Sequence, residues 1–472
     1  MLRPWKLEIQ LDFESKQAIY LQIADAVIAD IQSGRLKAGT ALPGSRALAL
    51  DLKINRNTVI EALNVLLNEE WLITRERKGT FVAETLPNLQ RKKISLTATA
   101  EQPKQLQAFR IVFDDGAPDS KIAPIKELAR AYRQIFNRKA KWQMMGYGNE
   151  LGDIAFRTAI VQMLNHQRGM QINEQQICIT RGSQMAMYLT AQCLLSEGDY
   201  VMVESPGYKP AWKAFEHAGA KLLAVRVDDE GLLIEDVLKH LKAGKKIKAI
   251  YTTPHHQYPT TVTLSLQRRL ALIALSNQYG FTIIEDDYDN EFHFSYRPIL
   301  PLCSYSDLKN YVYIGTMSKV VAPALRIGYM ASNHAKLMDK VAALRKIIDV
   351  QGDTIMEQAV LQLIQDGTIK RHLKKATNYY LAKRNFTESL LQQHIQHKAK
   401  YTMPNGGLAF WIRPIANVDW QKVSEKLQKK GIKIIEPESY SFGKAVNGIR
   451  LSYGSVSEQQ LQEGIEVLAS LL

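Results

Sequence analysis

From about residue 111 onward, apolar runs rich in β-branched and aromatic residues alternate with helical stretches. Examples of these runs are residues 200–203, 249–251, 281–284 and 311–314. Continuous apolar runs are typical of strands buried on both faces, and strands that alternate with helices usually form a parallel sheet. The sequence therefore predicts an α/β body over residues 111–472, with a mostly parallel sheet covered by helices on both faces.

Residues 1–83 have a different pattern, in which helical periodicity precedes a hairpin. Apolar residues recur every four positions from Ile19 to Ile31, which predicts a helix with one buried face and Gly34 at its C-terminal end. Ser45 and Asn55 are candidate N-caps of a second and a third helix. Two short β-rich runs, 71–75 and 80–82, follow with a turn at Lys78-Gly79. Three helices and a hairpin predict a winged helix-turn-helix.

This N-terminal segment resembles the GntR family of regulators. The residues that carry the resemblance are Tyr20-Leu21-Gln22-Ile23, Gly34-Arg35-Leu36, Leu42-Pro43-Gly44-Ser45-Arg46, Asn55-Arg56-Asn57-Thr58-Val59 and Gly79-Thr80-Phe81-Val82. Arg56, Asn57 and Thr58 begin the third helix, where a recognition helix contacts base edges in the major groove. We expect Arg46 and the wing residues Arg77, Lys78 and Gly79 to contact phosphates or the minor groove.

The net charge of +14 favours a polyanionic partner, although it does not locate the site. Residues 1–83 carry eleven Lys and Arg against ten Asp and Glu, so most of the excess lies further along the chain. Residues 84–110 lack periodicity, contain Pro87, Pro103 and the basic run Arg91-Lys92-Lys93, and are predicted to form a flexible linker.

The sequence has no run of about 18 consecutive apolar residues, so no transmembrane helix is predicted. The first residues lack the apolar region of a signal peptide, so none is predicted. The three cysteines, Cys178, Cys193 and Cys303, have no metal-ligand spacing. His255 and His256 are adjacent, and neighbouring side chains of a strand point to opposite faces. We therefore expect a cytoplasmic protein without a metal site.

In the body, polar residues follow the predicted strands, where ligands bind in such folds. They include Asp286 and Tyr288 after one strand, Ser318-Lys319 after the next, and Arg326 and Arg450 further on. A lysine can condense with the aldehyde of pyridoxal phosphate (PLP), and a carboxylate can pair with its ring nitrogen. An arginine and the start of a helix can bind its phosphate.

These residues and their order resemble fold type I PLP-dependent aminotransferases across residues 111–472, which also implies a small C-terminal α+β subdomain. The resemblance implies that Lys319 forms the Schiff base, with Asp286, or alternatively Asp287, at the pyridinium. The other residues that it implies for the cofactor are Gly182, Ser183, Gln184, Tyr208, Tyr258, Tyr288, Ser318 and Arg326. Arg450 matches the arginine that binds the substrate carboxylate, and Tyr147 matches a tyrosine that reaches the partner's phosphate.

One departure separates this chain from working aminotransferases. Tyr258 stands where the family has an asparagine before Pro-Thr-Gly, and Thr261 replaces the glycine. The segment His256-Gln257-Tyr258-Pro259 resembles the MocR subfamily, in which a GntR head is joined to an aminotransferase-like body.

Two functions follow from this resemblance. The first is a homodimeric transcription regulator that binds double-stranded operator DNA and senses an amine, an amino acid or PLP itself through Lys319. The alternative is an active aminotransferase that carries a DNA-binding head. The replacement at Tyr258 favours the regulator, whereas the retained Lys319, Asp286 and Arg450 keep a slow half-transamination open.

Overall fold

The computed structural model describes residues 5–87, 109–137, 145–289, 291–294 and 299–472. Most of the predicted linker, with its basic run at 91–93, lies outside the described residues. The chain divides into two compact units, Met1–Gln105 and Leu106–Leu472.

The N-terminal unit contains three helices followed by a two-stranded antiparallel hairpin, which confirms the predicted winged helix-turn-helix. The elements are α1 (Ile19–Gln32), α2 (Ser45–Leu52), α3 (Arg56–Asn68), β1 (Leu72–Arg75) and β2 (Gly79–Val82). The apolar period of α1 places Ile23, Val27 and Ile31 inside, and Val59 and Leu66 of α3 are also fully buried. Burial of each such side chain contributes about 1.5–3 kcal/mol, which is enough to hold short helices together.

The ends of these helices test the predicted caps. Asn55 caps α3, because its Oδ1 accepts a hydrogen bond from the Asn57 backbone N–H at 2.8 Å. The prediction for Ser45 is wrong: Gly44 is the N-cap of α2, and Ser45 is its first residue. The Ser45 hydroxyl instead accepts a hydrogen bond from Arg56 Nε at 3.2 Å, which joins α2 to α3.

The wing differs from the prediction by one residue. Gly79 is the first residue of β2 and pairs with Arg75, so the turn consists of residues 76–78. Arg77 adopts φ 57° within this turn. The tip of the wing therefore presents Arg77 and Lys78, while Gly79 belongs to the ladder.

The second unit is built on an eight-stranded sheet with the order β4-β11-β10-β9-β8-β5-β6-β7. Its strands are β4 (Ile177–Thr180), β5 (Tyr200–Ser205), β6 (Lys221–Asp228), β7 (Gly231–Leu232), β8 (Ile247–Thr252), β9 (Thr282–Asp287), β10 (Tyr311–Thr316) and β11 (Gly328–Ala331). The central strands β6, β5, β8, β9 and β10 pair in parallel, whereas β11 and β7 are antiparallel to their neighbours. The mostly parallel sheet is confirmed.

Alternate residues of the central strands belong to two separate cores. Met202, Ile250 and Ile283 pack on one face, and Ala249 and Ile284 pack on the other. Each face is covered by helices, which explains why these strands are apolar throughout. The helices of this unit's larger part are α4 (Ile125–Asn137), α5 (Ile154–Arg168), α6 (Ser183–Leu194), α7 (Lys209–His217), α8 (Ile234–Lys242), α9 (Leu266–Tyr279), α10 (Ala335–Ile348) and α11 (Thr354–Gln365).

A smaller C-terminal part has its own core. It contains the antiparallel strands β12 (Ala399–Tyr401), β13 (Ala409–Pro414) and β15 (Ile449–Ser452), and the helices α12 (Thr368–His394), α13 (Trp420–Lys429) and α14 (Glu458–Leu471). At its edge, β14 (Ile432–Lys433) pairs in parallel with β3 (Ile111–Val112), the first strand of the body. None of the helices in the described part of the chain is long and apolar enough to cross a bilayer.

Candidate functional site

A cavity of about 200 Å³ lies where β8, β9 and β10 end and α6 begins. It brings together eight residues that the sequence predicted from separate segments. They are Ser183, Tyr208, Tyr258, Asp286, Tyr288, Ser318, Lys319 and Arg326. These predicted residues thus lie together at the edge of the sheet where the parallel strands end.

Lys319 is half-buried in the lining of this cavity, three residues beyond the end of β10. Its Nζ donates to the carbonyl oxygens of Gly116 and Asp115, the latter at 3.3 Å. Burial lowers the pKa of Lys319, and the nearby Asp115 carboxylate opposes this effect. A buried amine with a lowered pKa loses its proton more easily, which is the state required for attack on a carbonyl.

Asp286 faces the cavity, whereas Asp287 faces the other side of β9. Asp286 Oδ2 accepts a hydrogen bond from Tyr251 at 2.7 Å, and its Oδ1 is buried without a hydrogen-bond partner among the described residues. Asp287 Oδ2 instead pairs with Arg168 at 2.7 Å and accepts from Tyr313 at 2.6 Å. Of the two candidates, only Asp286 belongs to the lining of this cavity.

Burial raises the pKa of Asp286 to about 7, with a further contribution from the negative charge of Asp287. The hydrogen bond from Tyr251 opposes the shift. Burial disfavours the charged form of this carboxyl group, and a cation that pairs with its open oxygen stabilises the charged form.

The start of α6 and Arg326 form one end of the site. Gly182 is the N-cap of α6 with φ 78°, and a Cβ at this position would lie 2.6 Å from Arg326 Nη2. Only glycine permits this approach. Arg326, which donates to the carbonyl of Arg181 at 3.2 Å, therefore lies beside the free N–H groups of a helix start.

Gln184 does not line the cavity. Its Nε2 donates to the carbonyl of Pro210 at 2.9 Å, although the residue belongs to the first turn of α6. The sequence predicted Gln184 as part of the phosphate-binding helix start, and its backbone N–H lies in the first turn of α6.

Arg450 approaches the site from the smaller C-terminal part. It lies within β15, and not at the end of a strand of the main sheet as the sequence suggested. Its guanidinium carbon is 5.1 Å from the centre of the Tyr258 ring and 5.8 Å from that of Tyr288. A Cβ at Gly116 would lie 3.3 Å from Arg450 Nη2 and 3.6 Å from Lys319 Nζ, so the two cations approach the same point.

Sequence reasoning missed Asp115, Tyr251 and Thr253, which also line the cavity. Tyr251 and Thr253 lie at the end of β8, whose apolar pattern predicted only a buried strand. Asp115 follows the short strand β3, which the sequence did not single out. Its position near Lys319 depends on the pairing of β3 with β14, more than 300 residues away.

Three further predicted features lie outside the cavity. Tyr147 is 90% exposed. His255 and His256 come after the end of β8 and have different partners, the carbonyl of Ile299 and Asp289. Within the described ranges no group of three His, Cys, Asp or Glu side chains is arranged to hold a metal ion.

The polar side chains that line the cavity match the groups of PLP. Asp286 Oδ1 and Ser318 Oγ are buried and lack hydrogen-bond partners in the described part of the chain. Asp286 would hold the ring nitrogen, Ser183, Ser318 and Arg326 the phosphate, and Lys319 the aldehyde carbon. When bound, PLP supplies a carbonyl group that amines can attack and a ring that accepts electrons.

The N-terminal unit presents its predicted DNA-binding residues to solvent. Arg46, Arg56 and Asn57 are exposed, and Thr58 is half-buried at the start of α3. On the wing, Arg77 and Lys78 are exposed and Gly79 is half-buried.

The chain matches two family models. Residues 111–468 match "Aminotransferase class I and II", and residues 19–82 match "Bacterial regulatory proteins, gntR family". The first match covers most of the chain and the second covers the three helices and the hairpin.

Relatives of two kinds are similar to the chain. The "Probable rhizopine catabolism regulatory protein MocR" of Rhizobium meliloti is 27% identical over 481 residues, covering 98% of this chain and 95% of the relative. The "Aromatic-amino-acid aminotransferase 1" of Thermococcus litoralis is 29% identical over 362 residues, covering 76% of this chain and 86% of the relative.

Among solved structures, the kynurenine aminotransferase of Pyrococcus horikoshii, in complex with PMP, is 28% identical with a TM-score of 0.72. The similarity covers 78% of this chain and 91% of that one. A regulator thus aligns with nearly the whole chain, whereas the aminotransferases align with about three quarters of it. The chain therefore belongs to the aminotransferase class I and II family and, with its gntR-type head, to the MocR subfamily of transcription regulators.

Proposed function

We propose that this protein is a PLP-dependent transcription regulator that binds operator DNA and responds to a small amine, an amino acid or PLP. The observation that carries the proposal is the presence, in one chain, of an exposed recognition-helix start and a cavity lined by a half-buried lysine. DNA binding and ligand sensing are assigned to different units, so a ligand acts by shifting the equilibrium between arrangements of the protein on DNA.

On the DNA side, Arg56, Asn57 and Thr58 are proposed to contact base edges, and Arg46, Arg77 and Lys78 the backbone. The support is their position and exposure: three polar side chains begin α3, and two cations occupy the tip of the wing. Base contacts give specificity, whereas phosphate contacts give affinity that falls with salt.

On the sensing side, Lys319 is proposed to hold the cofactor covalently and to be displaced by an amine effector. Asp286 holds the ring, with Tyr251 fixing the orientation of its carboxylate at 2.7 Å. Arg450 is proposed to bind the effector's carboxylate, because its Nε has no hydrogen-bond partner among the described residues and its guanidinium lies beside the cavity.

The active-enzyme alternative is less well supported. The relatives that carry aminotransferase names align with about three quarters of the chain and leave the head unmatched. Those that align with 95% or more of the chain carry regulator names. Tyr258, which replaces the asparagine of working aminotransferases, is buried against Tyr208 with ring centres 5.1 Å apart.

We also propose that the protein is a cytoplasmic homodimer. The support is its membership of a family whose sites form at a subunit interface, together with the exposed Tyr147, which would be available to a partner. A dimer would place two recognition helices on two half-sites about one helical turn apart. Light scattering of the free protein and of its operator complex measures the stoichiometry.

The visible absorption spectrum of the PLP-loaded protein, followed through additions of amines, tests the sensing function. An amine that produces a stable new band and changes operator affinity supports the regulator. Steady conversion to the pyridoxamine form, with turnover on addition of a keto acid, would show an enzyme instead. A band that no amine alters, in a protein whose operator affinity depends on PLP, would identify PLP as the signal.

A further inference from the structure

The proposed function leaves one carboxylate of the cavity lining without a role. Asp286 is assigned to the cofactor ring, whereas Asp115 is assigned to neither the cofactor nor the effector. Asp115 lines the cavity with Lys319, Tyr258 and Tyr288. Its Oδ1 is buried and has no hydrogen-bond partner among the described residues. A buried, unpartnered carboxylate oxygen is costly, and a ligand that donates to it removes that cost.

Asp115 lies within the electrostatic reach of most polar groups in the site. Burial, and after it the Asp115 carboxylate, raises the pKa of Tyr208 and Tyr258. Asp115 is also the leading group that opposes the lowering of the Lys319 pKa by burial. The backbone carbonyl of Asp115 accepts a hydrogen bond from Lys319 Nζ at 3.3 Å, which places the residue beside the amine-binding end of the cavity.

The charges of the site can be matched one by one. In the proposed function, Asp286 pairs with the cofactor ring, Arg326 with its phosphate and Arg450 with the effector's carboxylate. Lys319, which the effector's amine displaces from the cofactor, is released as an amine whose pKa is lowered by burial. Asp115 is then the remaining carboxylate of the cavity lining, and its Oδ1 has no hydrogen-bond partner among the described residues.

The aromatic rings around Asp115 favour the same kind of group. Tyr258 and Tyr288 form one wall with ring centres 6.3 Å apart, and Tyr208 lies against Tyr258. Faces of aromatic rings attract ammonium groups, and the attraction strengthens where water is excluded. The Arg450 guanidinium already lies over the Tyr258 and Tyr288 rings, so this wall accepts a cation, and the open carboxylate oxygen of Asp115 adds a negative charge that favours a second one.

We propose that Asp115 forms a subsite for a second ammonium group, so that the effector is a diamino carboxylic acid. One amine exchanges with Lys319, the carboxylate binds Arg450, and the distal ammonium binds Asp115. This inference rests on the proposed amine-sensing function and adds the chemical class of the effector to it.

Matched pairs of probes test the subsite in the PLP-loaded, full-length protein. Each pair has the same chain length with and without the second ammonium: L-lysine and L-norleucine, L-ornithine and L-norvaline, and L-2,4-diaminobutyrate and L-2-aminobutyrate. We measure the concentration at which each probe produces half of the change in cofactor absorption, and its effect on operator affinity. In at least one pair, the diamino member should act at about 10- to 100-fold lower concentration.

The variant Asp115→Asn removes the charge and keeps the shape of the side chain. The preference for the diamino member should fall to about twofold or less. Asp119→Asn makes the same charge change four residues along the chain, at a side chain that does not line this cavity, and should keep the wild-type preference.

The outcomes separate this inference from the proposed function. If both members of every pair change the absorption equally, or the members without the second ammonium act at lower concentration, the subsite assignment is wrong while amine sensing stands. If no probe changes the absorption or the operator affinity, amine sensing itself fails and the subsite with it. A preference that survives in Asp115→Asn assigns the distal ammonium to another group and overturns the role of Asp115.

Discussion

The two units of this protein place their functional residues in opposite ways. In the N-terminal unit, which forms the head, Arg56, Asn57 and Thr58 are consecutive and lie at the surface at the start of α3. In the body, Asp286, Lys319 and Arg450 come from three separate segments and meet around one cavity, with Asp286 and Arg450 buried and Lys319 half-buried. A DNA-binding surface must meet a large partner, so its groups stay in solvent. A small-molecule site must exclude water, so its groups are enclosed.

This difference has an energetic consequence. Exposed cations keep their ordinary protonation state, and removal of one affects mainly the contact that it makes. Buried groups change one another's pKa, so removal of one changes the whole site. Variants in the head should therefore act locally, and variants in the body should alter cofactor binding and pH dependence together.

The largest effect is expected for Lys319→Ala. The variant lacks the amine that bonds to PLP, so the visible absorption of the lysine-bound cofactor should be lost completely. Operator binding by the head should remain measurable, but amines should no longer change it. An undiminished borohydride-trappable adduct in this variant would show that another lysine holds the cofactor.

The next effect concerns pH and Asp286. Because burial raises its folded-state pKa to about 7, the cofactor-free protein binds a proton that the unfolded chain releases at lower pH. Its stability is greatest below the ordinary carboxyl pKa and falls as pH rises toward 7, by up to about 4 kcal/mol from this group.

Urea unfolding between pH 4 and pH 8 measures this loss, with Asp286→Asn as the reference. Other buried acids with a raised pKa, such as Glu285, are present in both proteins, so the difference between the two profiles reports Asp286 together with its coupling to neighbouring acids. Parallel pH profiles of the wild type and the variant would contradict the raised pKa.

In the head, Arg56→Ala should weaken specific operator binding by about 1–3 kcal/mol and leave the cofactor absorption intact. Fluorescence anisotropy with operator and with random DNA separates specific from non-specific binding. Ser45→Ala is the control, because it removes only the hydrogen bond to Arg56. Simultaneous loss of the cofactor band would contradict the separation of functions between the units.

The smallest effect is expected at the cap of α3. Asn55→Ala removes the acceptor of the Asn57 N–H and should destabilise the head by about 1 kcal/mol, whereas Asn55→Ser should restore most of this loss. Hydrogen exchange of the first amides of α3 measures it. Equal protection in all three proteins would show that the cap contributes little.

Much of the fold could be predicted because its signals are local. The four-residue period of α1, the cap at Asn55 and the apolar runs of β5, β8, β9 and β10 all appear in the structure where the sequence placed them. The failures are at positions where two structures compete locally. Ser45 can cap a helix or begin one, and Gly44 before it takes the extended cap conformation.

The candidate site was less accessible to sequence reasoning. Pattern and resemblance predicted Lys319 and left Asp286 and Asp287 as alternatives. The face of β9 on which each lies follows from the strand's alternation, but which face holds the cavity depends on the packing of Tyr251, Arg168 and Tyr313. Asp115 was not predicted, because its contribution requires the pairing of β3 with β14.

The sequence by itself thus determined the two architectures and most of the residues that carry chemistry, because helix periods, caps and strand patterns act over a few neighbouring residues. Only the tertiary structure decided which carboxylate faces the cavity, that Gln184 points away from it, and that Asp115 and Arg450 approach Lys319. Those arrangements depend on contacts between segments that are far apart in the sequence. The side chains that bury a charged group in these contacts also determine which group it pairs with.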